Sequence, residues 1–96
     1  MDERIESFLK DVLELQDVPP TAMRDGVRSY LAIYENLVRD TEPDIREREA
    51  AAREWWKRCR ERVAEEMAKA AGIPVAEHWK SVLSIIDSSD GSPRKT

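Results

Sequence analysis

The chain carries one histidine, one cysteine and twenty carboxylates, so its capacity for acid–base, nucleophilic or metal chemistry can be weighed residue by residue. His78 lies one helical turn from Val75 and Val82, at the edge of an apolar stripe. A lone imidazole in that setting reads as a partly buried, hydrogen-bonded side chain rather than a base or a ligand. Cys59 has Arg58, Arg60 and Arg62 close by in sequence, charges that would favour a thiolate if the sulfur were accessible. It falls on an apolar stripe, however, where a thiol behaves as a small hydrophobe, and a nucleophile would also need an accessible setting and a base. Tyr30 and Tyr34, four residues apart, fit a core stripe with their hydroxyls at its edge. Adjacent acids such as Glu65 and Glu66 are not diagnostic among so many carboxylates. Glycine-rich phosphate loops, HExxH, acidic calcium loops and CxxC are all missing from the sequence. The expectation is a protein that is not an enzyme, with no catalytic residue, no cofactor and no metal.

Ninety-six residues suit a single domain, and 38% charged with 41% apolar residues suits a folded rather than an unfolded chain. The formal charge of −4 argues against a protein that binds nucleic acid or an anionic membrane through net charge. That total conceals a polarity: residues 1–20 hold two bases and six acids, whereas residues 53–62 hold five bases and two acids. Arg46, Arg53, Lys57 and Arg60 form a candidate basic stripe on a helix through residues 42–71, beside its apolar face. Pairs such as Glu49/Arg53, Glu54/Arg58, Arg62/Glu66 and Glu65/Lys69, four residues apart, could neutralise neighbouring charges locally. The acidic first segment could instead lie against the basic centre of that helix, or the stripe, with Arg24, Arg28 and Arg39, could meet phosphates.

The elements that position these residues follow from apolar recurrence at three and four residues, which predicts an all-α fold of four helices over about residues 2–16, 21–40, 42–71 and 74–87. Ile5, Phe8, Leu9, Val12 and Leu13 mark the first stripe; Met23, Val27, Tyr30, Leu31, Tyr34, Leu37 and Val38 mark the second. Ala22, Gly26 and Ile33 widen the second face, suggesting a helix packed on more than one side, with Gly26 admitting a close neighbour. The third stripe is Ile45, Ala52, Trp56, Cys59, Val63, Met67 and Ala70, and the fourth Val75, Trp79, Val82, Leu83 and Ile86. Residues 1–87 are therefore expected to form one helical domain, and the polar, breaker-rich residues 88–96 a disordered tail.

A thirty-residue third helix would be about 45 Å long, against a diameter of about 32 Å for a compact domain of this length. The overshoot calls for a bend, an elongated fold or a second chain, and the second chain, by default a two-fold homodimer, is the favoured expectation. Trp55 points about 100° away from Trp56 around that helix, where it is either covered by another helix of the same chain or joins Ala22, Gly26 and Ile33 as a candidate interface, since tryptophan frequently anchors one. No apolar run approaches the roughly 18 residues of a membrane span, and Met1-Asp2-Glu3-Arg4 lacks the marks of a signal peptide. A cytoplasmic location is expected. Eleven arginines against five lysines, with frequent alanine, suit a bacterial chain. The functional expectation is a homo-oligomeric protein–protein interaction module, with a small regulator or nucleic-acid binder using the basic stripe as the alternative.

Overall fold

The computed structural model describes residues 3–89, which form α1 (Glu3–Leu13), α2 (Pro20–Asp40), α3 (Ile45–Lys69) and α4 (Val75–Ser89). The expected all-α bundle is the observed one. α2 and α3 each pack against all three other helices, so they form the centre on which α1 and α4 are laid.

Each boundary has a local cause. α1 buries Ile5, Phe8, Leu9 and Val12 and places Glu3 and Glu6 in its first turn, where carboxylates meet the positive end of the helix dipole. It stops at Leu13, short of the expected 16, because the chain turns there through the Leu15 amide donating to the Val12 carbonyl at 3.0 Å. Pro19 and Pro20 do more than terminate: Pro19 caps α2 in extended backbone and Pro20 opens its first turn, a position where a missing N–H costs nothing. The built position of a Cβ on Gly26 would lie 2.7 Å from Leu15 Cδ1. The glycine thus admits a side chain from its own chain rather than another backbone.

α3 begins at Ile45, three residues after the expected start at 42, because Asp44 is its cap. The Asp44 carboxylate accepts from the amides of Arg46 at 2.7 Å and Glu47 at 3.3 Å, while the Thr41 hydroxyl turns back to the Val38 carbonyl. At its far end Gly72 takes φ +92°, and the Ile73 amide donates to the Ala70 carbonyl at 2.9 Å. Twenty-five residues rather than thirty make a helix of about 37 Å, and the molecule, 43 × 30 × 20 Å, is elongated enough to hold it. The length argument for a second chain therefore falls away. What remains of the overhang is the first turn, where Ile45, expected in the core, is 72% exposed because no helix reaches it.

The core is built from Phe8, Val12, Val27, Leu31, Trp55, Cys59, Val63, Trp79, Val82 and Ile86. Of the two expectations for Trp55, burial within the chain is the one observed and the candidate interface role is not: it is only 2% exposed and edge-packed on Phe8 at 6.0 Å and Trp56 at 6.1 Å between ring centroids. α4 continues through Ser88 and Ser89, which were expected in the tail; residues 90–96 lie outside the described residues. Among the described residues, no helix is long and apolar enough to cross a membrane.

Candidate functional site

The side chains with potential chemistry are mostly engaged in holding helices together. His78 Nε2–H donates to the Val12 carbonyl at 2.8 Å and its ring lies against Trp79, which ties α4 to the end of α1. Cys59 is fully buried among apolar neighbours. The Tyr34 hydroxyl donates to Asp11 Oδ2 at 2.6 Å, joining α2 to α1, and this hydrogen bond to a carboxylate is the main cause holding its phenol above the usual pKa range. Among the described residues, no three His, Cys, Asp or Glu side chains converge as metal ligands.

The acidic first helix does meet the basic third one, within one chain, through Glu6 and Arg62. Arg62 grips Glu6 with two nitrogens, Nε to Oε2 at 2.9 Å and Nη2 to Oε1 at 3.1 Å, and also reaches Glu65 and Glu66 on its own helix. The fork-to-carboxylate geometry fixes the approach of α1 to α3. Hydrogen bonding to Arg62 holds the Glu6 carboxyl below its usual range, burial opposing; the Arg62 guanidinium is pushed further above its own. A depressed folded-state pKa means this stability is present above the ordinary carboxylate value and lost as pH falls through the folded one. The Glu6 side chain is 39% exposed, so screening keeps the contribution below about 1 kcal/mol. Thermal melts from neutral pH down to about pH 3, beneath the unperturbed Glu value of about 4.3, should show wild type losing more stability than Glu6→Gln. Parallel curves for the two proteins would show that the pair carries no linkage.

Beside this pair an open groove of about 590 Å³ runs between α1 and α3, lined by Ile5, Glu6, Glu54, Lys57, Arg58, Glu61, Arg62, Glu65 and Lys69. Its four acids and four bases alternate, so it selects neither sign of ligand. On the other side of the molecule, Glu35 accepts from Trp56 Nε1 at 3.1 Å and from Arg39 at 2.6 Å, and Arg39 also reaches Glu49 at 2.9 Å. That network clamps α2 to α3. It also removes Glu49 from Arg53, the partner that sequence spacing would have assigned.

Two outward faces remain. On α2 the candidate residues Ala22 and Ile33 are exposed, Ile33 at 51%, whereas Gly26 is partly covered by Leu15. Leu37, read as core from its spacing, is 45% exposed and continues the face one turn beyond Ile33. Across Ser29, Ala32, Ile33, Asn36 and Leu37 every exposed residue of α2 is uncharged. On α3 the candidate stripe Arg46, Arg53, Lys57 and Arg60 is exposed along its whole length. Trp55 is on neither face. The chain matches no protein family model, no curated protein and no solved structure.

Proposed function

We propose that this protein is a protein–protein interaction module that pairs with a second copy of itself through the outer face of α2. The observation that carries the reading is the run of exposed, uncharged residues from Ser29 to Leu37, in a chain whose residues are 38% charged. Depletion of charge with retention of aliphatic side chains distinguishes interface centres from the rest of a protein surface.

The same face favours a like partner. Two copies of an uncharged surface meet without like-charge repulsion, which the basic stripe of α3 could not do. Two copies crossing antiparallel with the two-fold axis at Ile33 place the stretch from Ser29 to Leu37 against itself.

The double variant Ile33→Asp/Leu37→Asp tests this. Both positions are exposed, so its helicity and melting should match wild type, while sedimentation in the micromolar range should show association weakened by at least about tenfold, or roughly 1.4 kcal/mol. Unaltered association in the variant would place any dimer contact elsewhere.

A further inference from the structure

The exposed stripe of α3 is more ordered than a solvated charged surface requires. Arg46, Ala50, Arg53, Lys57, Arg60 and Ala64 follow one another at alternating intervals of four and three residues, the spacing of a helix–helix seam. From Arg46 to Arg60 the seam runs about 21 Å. Here the two small residues would let a second helix approach closely, and the cations occupy positions that normally face it.

Two of the acids nearest this stripe are engaged elsewhere. Glu49 pairs with Arg39 on α2, and Glu54 pairs with Arg58 on the neighbouring flank. Among the described residues Arg46, Arg53 and Lys57 make no ion pair, and Arg60 makes one exposed pair, with Asp87 at 2.8 Å. Such an exposed pair is weak and readily exchanged.

We infer that this seam docks an acidic amphipathic helix of another protein. A second copy of the chain does not fit, because either orientation of the two-fold pair sets cation against cation along the seam. A nucleic acid fits poorly as well. Glu47, Glu54 and Glu61, spaced seven apart, form an exposed acidic border directly beside the cations, and a helix seated in a groove would press that border onto phosphates. The surface instead selects a one-sided partner: a helix with carboxylates at intervals of three and four, and bases along the edge that meets Glu47, Glu54 and Glu61.

The probe is a fluorescein-labelled synthetic peptide of about 18 residues, long enough to hold a helix in water, with Glu at alternating intervals of three and four and Lys along one border. It should bind the full chain, and more weakly as salt rises. Arg53→Glu/Lys57→Glu, whose melting should match wild type, should lower the affinity at least tenfold and gain affinity for a peptide carrying Lys in place of Glu. The Ile33→Asp/Leu37→Asp protein should bind the peptide as wild type does, which separates this surface from that of α2. The proposal is overturned if the peptide fails to bind, if the charge reversal leaves its affinity unchanged, or if a DNA duplex displaces it in preference to an unlabelled copy.

Discussion

Trp55→Ala is expected to destabilise the fold by about 3–5 kcal/mol, the range for deleting a large aromatic side chain from a packed core. Trp55 is 2% exposed and touches Phe8 of α1 and Trp56 of its own helix, so the cavity opens where α1 joins the centre of the bundle. Among the described residues its indole N–H has no hydrogen-bond partner. Ring volume in the core is what the residue supplies. Against a total stability of about 5–15 kcal/mol for an ordinary domain, the loss is a large share. Denaturant titration followed by far-ultraviolet circular dichroism measures it through the midpoint. An unchanged midpoint, with association lost instead, would mean that Trp55 is an interface anchor after all.

The second large effect is expected at Glu35. Glu35→Ala withdraws the acceptor of the Trp56 indole and one of the two carboxylates on Arg39, leaving two partly buried donors short of partners. The cost of such orphaned groups is about 1–3 kcal/mol, and the α2–α3 packing should be where it is felt. Glu35→Gln is the informative companion, because its amide oxygen can still accept from Trp56 while the charge on Arg39 is no longer matched. Stability should rank wild type, Gln, then Ala in the same titration. Equal midpoints for the Gln and Ala proteins would remove the Trp56 hydrogen bond from the account.

The helices were legible because burial on one side of a helix writes a period of three and four residues into the sequence, and Phe8, Val12, Val27, Val63, Val82 and Ile86 all obey it. The length of α3 was less so. Thr41, Pro43 and Asp44 each carry a start signal, and only Asp44 has amides within reach of its side chain. Local pattern also could not reveal what lies opposite a residue. Trp55 looked like an edge residue until α1, drawn in by Glu6 and Arg62, covered it. Leu37 and Ile45 obey the core period yet are exposed, because no neighbouring helix extends over them.

The same reasoning separates the parts of the candidate surfaces. Ile33 and the basic stripe could be found from their place on a helical wheel, since they are exposed among the described residues. That Arg53 lacks its local partner could not, because Glu49 is held by Arg39 across a helix–helix contact between residues ten apart in sequence. Charge neutralisation, like burial, is decided by the tertiary neighbour rather than by spacing along one helix.

The molar mass of the wild-type chain in solution tests the central claim most directly. Sedimentation equilibrium across the micromolar range should give a mass rising with concentration from 11.1 kDa toward twice that value, and the rise should be missing from Ile33→Asp/Leu37→Asp. A wild-type mass that stays at 11.1 kDa throughout would contradict it.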